Sequence, residues 1–315
     1  MKSMKTTAAP IVATLALLGV TPSATAQLLT ARDGPVVYGH YHLHVTSIDE
    51  HKKFWVDTLG GKALKVGPLE SIEFPNVFIF LQQTKPDGGK GTTIDHIAFQ
   101  VANLRAVVDK LKAANYAVTT RADVNRMYSV KDDIATMPDQ HMLTAFAVGP
   151  DEARVELIEH RNAMQQPVAP AGPIAFDHVH VMAQDFTAMK QWYAKTFGAK
   201  IGSQTFLSKG LDLPGLPSAL QFSRVEGAAF SLTGSPAPYS SPAGVPAMIG
   251  TKNHVVDHLG FEVKGLEAFC QQLEKSGIKL DMSYRKVPAV GLSIAFVTDP
   301  WGTSIELTEG LNALP

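Results

Sequence analysis

Six side chains in this 315-residue sequence have types and spacing suited to metal chemistry. His42, His96, His178 and His258 each open a segment with apolar residues at the next, third and mostly fifth positions after the histidine. That period of two describes a strand with two faces, the histidine lying opposite the apolar set. Glu156 and Glu306 stand in Val155-Glu156-Leu157 and Ile305-Glu306-Leu307, late in the second and fourth units that the histidines begin. Two imidazoles and one carboxylate on a common face leave coordination positions open, an arrangement that suits Fe(II) and is compatible with Mn or Zn. His44 and His180, two residues beyond His42 and His178, share that face and are candidate bases or substrate-orienting groups. The second and fourth units carry Ala98 and Gly260 there. His40 also shares the face but lies near the strand start, where exposure is expected. Glu159 and Glu309 should point the other way, into solvent.

The elements that must position these groups repeat four times. Helical patterns over 48–59, 104–114, 186–197 and 266–275 follow the four strands and stop at Gly60, Asn115, Gly198 and Gly277, residues suited to a left-handed C-cap. Asp49, Asn103 and Asp185, each seven residues past a histidine, are expected N-caps. Short closing strands follow at 77–82, 155–159, 228–233 and 304–308. The unit is βαβββ, repeated. A single unit leaves a concave sheet face exposed, which a second unit covers. The expected fold is α+β, four βαβββ modules paired into two half-barrel cups. The first cup spans 36–162, the second 174–310, and a Pro-rich linker at 163–173 joins them. A second Pro/Gly/Ser stretch, 234–250, separates the third and fourth modules.

Composition narrows the partners. The chain is 45% hydrophobic and 18% charged with a formal net charge of −1, so no basic excess points to nucleic acid or an anionic membrane. A small-molecule substrate is the expected partner. Two pairs in one chain need no second copy, so monomer and homodimer both stay open. Residues 1–26 read as a cleavable signal peptide: Lys2 and Lys5, an apolar run from Ile11 to Val20, then Ala24-Thr25-Ala26. Cleavage near Ala26 would send the chain to the periplasm or outside the cell. The apolar run is short for a bilayer span. Cys270 is the single cysteine, which excludes an intrachain disulfide; its helical apolar setting suits an inert buried thiol.

Histidine-opened strand-helix units, with a last strand that reads Asp299-Pro300-Trp301-Gly302 before Glu306-Leu307, resemble the vicinal oxygen chelate family over about 36–310. That family includes glyoxalases, extradiol dioxygenases, epimerases, and fosfomycin- and bleomycin-resistance proteins. The resemblance implies His178, His258 and Glu306 as ligands in the C-terminal half and His42, His96 and Glu156 in the N-terminal half. It implies a divalent metal, Fe2+ or Mn2+ first, with Zn2+ compatible. The order His, His, Glu resembles the dioxygenase layout, since a glyoxalase-type site takes a carboxylate from both modules, and 77–82 and 229–233 hold no acid. Two departures stand against ring cleavage. The tyrosine such enzymes carry ten residues before the glutamate is Phe146 and Phe296 here, and His254, four residues before His258, is no match for their catalytic histidine. The resemblance thus allows a dioxygenase-type enzyme, a glyoxalase-like lyase, isomerase or epimerase, or a non-catalytic binding protein.

Overall fold

The computed structural model describes residues 28, 35–124, 128–136, 142–161, 174–183, 186–204, 209–213, 216–224 and 248–314. The expected signal peptide, the linker at 163–173 and most of the 234–250 stretch lie outside the described residues. The first module runs β1 (Val36–Val45), α1 (Ile48–Lys52) with a π-helical continuation (Lys53–Thr58), β2 (Lys62–Val66), β3 (Leu69–Phe74) and β4 (Val77–Gln83). The second runs β5 (Ile94–Val101), α2 (Leu104–Ala113), β6 (Ala117–Val118), α3 (Thr120–Asp123), β7 (Ser129–Lys131), β8 (Ile134–Thr136), β9 (Met142–Val148) and β10 (Arg154–His160). The third has β11 (Ile174–Ala183), α4 (Phe186–Phe197), β12 (Lys200–Gln204), β13 (Lys209–Leu213) and β14 (Leu216–Arg224). The fourth has β15 (Val256–Val263), α5 (Leu266–Lys275), β16 (Met282–Val287), β17 (Leu292–Thr298) and β18 (Ser304–Glu309). The strand beside β11 is β14, not the expected 228–233, which falls outside the described residues.

The α+β fold of four modules in two cups is present, but the partners differ from the expected ones. One sheet has the order β16-β17-β18-β15-β1-β4-β3-β2, the other β12-β13-β14-β11-β5-β10-β9-β8-β7, with β6 on β9. The first module therefore pairs with the fourth and the second with the third. Segment 163–173 joins two modules of one sheet, so it is no boundary between cups. Chain order does not choose partners here, because the ten residues from 84 to 93 reach up to ~35 Å, enough to cross between sheets. The apolar backs of the sheets share one core that crosses between the halves of the chain. Tyr38 stacks on Phe176 at 4.4 Å, Phe74 meets Phe99 at 4.8 Å, and Phe197 meets Phe261 at 4.8 Å.

Local punctuation follows the sequence closely at the helix ends. Gly60, Asn115, Gly198 and Gly277 all take positive φ, the left-handed turn expected of C-caps. Glu159 and Glu309 are half-buried rather than freely solvated, because each is tied to a helix start. Glu159 accepts the Leu104 backbone N–H at 2.8 Å, and Glu309 accepts that of Gly265 at 2.7 Å, so each covers the N-terminus of a helix. Cys270 is buried and burial pushes its thiol pKa up to about 11, consistent with an inert side chain. Among the described residues no helix is long and apolar enough to cross a membrane.

Glu262 is a buried acid of the fourth module held by neutral donors, among them Gly310 N at 2.8 Å and Thr308 Oγ1 at 3.0 Å. Burial pushes its pKa up to about 7 against those hydrogen bonds. Gln100, four residues past His96 as Glu262 is past His258, holds the matching place without a charge. A raised carboxyl pKa contributes stability below the unfolded value, roughly 4.3, that is lost as pH rises through the folded value. Thermal unfolding at pH 5 and pH 8 checks this: Glu262→Gln should flatten the loss between them and raise Tm at pH 8 by roughly 2–4 °C. Parallel pH profiles for the two proteins would contradict it.

Candidate metal centre

The frame of the repeat is set by the helices. They begin at residues 48, 104, 186 and 266, and His40, His96, His178 and His258 each precede a helix start by eight residues. His40, not His42, is thus the counterpart of the other three. Ser47, not Asp49, caps α1, its side chain accepting from Glu50 N as Asn103 accepts from Ala106 N at the start of α2. A slip of two residues keeps every side chain on the same face, so the run His40, His42, His44 could not reveal it by alternation alone. His40 is 0% exposed, contrary to the expected exposure. Bulges at Gly39 and Asp177, at matching places in β1 and β11, confirm the alignment.

The cross-module pairing regroups the ligand sets. In one cup His40 Nε2 lies 2.9 Å and His258 Nε2 3.1 Å from the same atom, Glu306 Oε2. In the other, His96 Nε2 lies 3.1 Å and His178 Nε2 3.5 Å from Glu156 Oε2. The expected sets, His178 with His258 and Glu306, and His42 with His96 and Glu156, are not formed, because β11 pairs with β5 and β1 with β15. The two cups match closely: the paired rings sit 5.9 Å apart for His40 and His258 and 5.8 Å for His178 and His96. His42 and His180 take equal places too, directly across the strands from His258 and His96, at ring distances of 4.7 and 4.6 Å. His44 is the counterpart of Met182 rather than of His180. It sits behind the site, with Nε2 3.8 Å from Asp257 Oδ2.

Three of the four histidines are held from behind by the preceding residue. Asp95, Asp177 and Asp257 bond Nδ1 of His96, His178 and His258 at 2.7, 2.7 and 2.6 Å. Arg154 pairs with Asp95, and His160 reaches Asp177 at 2.9 Å. Such carboxylates fix the ring and leave Nε2 for the site. They are visible in the sequence as the repeated pair Asp-His, a signal that attention to the histidines alone passes over. The first module has Gly39 instead, and His40 Nδ1 is buried without a partner. Burial disfavours charge on His258, but its bonds to Asp257 and Glu306 outweigh that and raise its pKa to about 9. Burial likewise opposes ionisation of Glu156, yet His96 and His178 hold its pKa at about 2; Glu306 is held still lower by His258 and His40. Burial, helped by neighbouring His258, drives His42 down to about 3, and His180 also falls well below its ordinary value. In each centre the ionised form of the carboxylate is favoured, and it faces imidazole nitrogens.

Apolar rings frame the donors. Phe296 and Phe146 lie across the strands from Glu306 and Glu156, their rings 5.1 Å from His258 and His96. Glu306 stands beside Gly260 and Glu156 beside Ala98; the matching places, beside His42 and His180, hold Phe80 and Gln221. Neither is an acid. A second apolar cluster, including Val66, Phe78, Phe80, Leu292, Ile294 and Leu311, lines the first of these cups. The donor set fits a divalent transition metal: imidazole and carboxylate ligands of borderline hardness converge, and His42 Nε2 is buried with no hydrogen-bond partner.

Curved sheets of paired βαβββ modules with histidine and glutamate on the concave face define the class of fold and a site whose groups could hold a metal ion. The sequence profile of the Glyoxalase/Bleomycin resistance protein/Dioxygenase superfamily matches residues 37–157 and 175–307, and the chain belongs to that family. Glyoxalase I from Zea mays is similar in fold, with a TM-score of 0.62 at 16% identity, over 88% of this chain and 94% of that one. A candidate dioxygenase from Bacillus subtilis has a TM-score of 0.59 at 10% identity, over 88% of this chain and 86% of that one. No curated protein matches the sequence at a significant level.

Gly260 shows how tightly the first centre is built. A Cβ there would fall 2.0 Å from His40 Cε1, so the imidazole occupies the space that a side chain would need. Gly260→Ala should displace His40 and lower metal affinity at that centre roughly 10–100-fold, leaving the His96, His178 and Glu156 centre loaded. Elemental analysis after dialysis reads this as about half the wild-type metal content. Unchanged content would mean that His40 is not a ligand.

Proposed function

We propose that this chain is an exported metalloenzyme of dioxygenase type, acting on a small compound that binds through two adjacent oxygens. The observation that carries the reading is the convergence of His40 Nε2 and His258 Nε2 on one oxygen of Glu306, reproduced by His96 and His178 on Glu156. In this reading those six residues hold two ions per chain, Fe2+ or Mn2+ first and Zn2+ compatible. A bound ion would supply Lewis acidity toward the substrate oxygens and, if iron, a route to dioxygen. The chain's own residues do the rest. Asp95, Asp177 and Asp257 hold the ligand rings in one tautomer. Phe80, Phe146 and Phe296 exclude water and present apolar walls to the body of the substrate. The absence of an acid at Phe80 and Gln221 favours the dioxygenase layout over one with carboxylates from both modules. Export rests on residues 1–26, with Gln27 as the first mature residue; N-terminal sequencing of the protein secreted by an expressing cell checks it.

Oxygen uptake by Fe(II)-loaded protein, measured against a panel of catechols and other vicinally dioxygenated compounds, tests the activity. Consumption of about one O2 per substrate is expected, falling at least 100-fold or so when Glu306→Ala and Glu156→Ala are combined. Turnover of such a compound under nitrogen would instead identify a redox-neutral lyase or isomerase. Protein that cannot be loaded with metal would be a binding module.

A further inference from the structure

Each cup holds one more imidazole than the ligand set above uses. His42 lies directly across from His258, and His180 directly across from His96, by matching register in the two sheets. His42 is 9% exposed, and its Nε2 has no hydrogen-bond partner. An unpaired buried nitrogen is costly unless something fills its lone pair or takes its proton. In the other cup, nitrogens of His96, His178 and His180 all lie within 4.8 Å of one another, the approach expected of donors able to share one ion after small adjustments. The place where internal symmetry would put a second acid in the first cup is taken by Phe80, whose ring is 5.2 Å from His40 and 6.1 Å from His42. It cannot donate to a cation, which leaves His42, across the strands from His258 with the rings 4.7 Å apart, as the additional donor beside the group formed by His40, His258 and Glu306.

The modules divide this task by residue type. At the place of His42 and His180 in the first and third modules, the second and fourth have Ala98 and Gly260. Small residues there make room: His178 sits across from Ala98, and the ring of His40 lies over Gly260. Each cup thus takes two histidines from one module, and one histidine with one glutamate from the other.

We propose that His42 and His180 are metal ligands, so that each ion is held by three histidines and one glutamate rather than by two and one. The proposal rests on the metal-site reading and extends it. Four protein donors leave an octahedral ion two positions, enough for a compound that chelates through two adjacent oxygens or for one substrate oxygen with dioxygen, but not for a chelate and dioxygen together. They also predict tighter metal retention than a three-donor site gives.

The full-length mature protein, loaded with Co(II) alone, tests this by X-ray absorption, which counts imidazoles around the ion, and by chelator competition, which reads affinity. Three imidazoles per cobalt are expected in the wild type. His42→Ala and His180→Ala should each remove one imidazole from half of the ions and weaken cobalt binding at that cup by roughly 10–100-fold, with His254→Ala unchanged. His42→Gln serves where the alanine variant does not fold, and the wild-type count decides alone if both fail. Two imidazoles per cobalt, or full affinity in both histidine variants, would overturn the proposal while leaving the two-histidine site standing. A wild-type protein that takes up no cobalt would overturn both readings together.

Discussion

The antiparallel pairing of opening strands from different modules is the constraint on which the rest of this molecule depends. Every site histidine lies on β1, β5, β11 or β15, and every one of those strands meets a partner from the other half of the chain. A histidine contributes to a centre only through the strand laid beside it. The pairing also sets register, and a slip of one residue would send each imidazole into the apolar core instead of the cup. Bulges at Gly39 and Asp177 sit just before the site histidines and fix where that register changes. The glutamates arrive by a second, parallel pairing, which aligns Glu306 with Gly260 and Glu156 with Ala98.

The elements were more legible in the sequence than their assembly. Alternation, helix stops at Gly60, Gly198 and Gly277, and the repeat itself are local properties, and they appear where the residues place them. Which module pairs with which is decided by contacts such as Tyr38 on Phe176, between residues more than a hundred positions apart, and no local pattern encodes that. The site was legible as residue types and misread as sets. His96, Glu156, His178, His258 and Glu306 all face a cup, but in combinations that the chain halves do not predict. His40 was hidden by its neighbours: three histidines at alternate positions offer three frames, and only the Ser47 cap picks the right one.

Without a cation these centres are balanced by protons. His258 faces Asp257 through one ring nitrogen and Glu306 through the other, so the ring must donate twice and carry charge. Burying that pair costs desolvation which its mutual attraction offsets only when every donor and acceptor is matched. His42 fails that test, since its Nε2 meets nothing. A fold stabilised for its own sake would have an apolar residue there, as it has Phe80 and Phe296 close by. A neutral imidazole kept dry and unpaired beside a buried carboxylate is better explained by a ligand than by packing.

The two cups share their donors and differ in what surrounds them. The first has Gly39 behind its leading histidine, where the second has Asp177 with His160 beyond it. An aspartate behind an imidazole raises its basicity and strengthens its hold on a cation, whereas His40 is held by Glu306 from the front, with Phe80 and the backbone of β15 beside it and no acid behind it. The residue types at the positions beside His42 and His180, Phe80 and Gln221, differ as well. Two copies of one site thus keep near-identical spacing of their histidine rings with different groups behind them. The constraint that preserves both is the shared core: neither cup can lose its opening strands without exposing the apolar back against which the other folds.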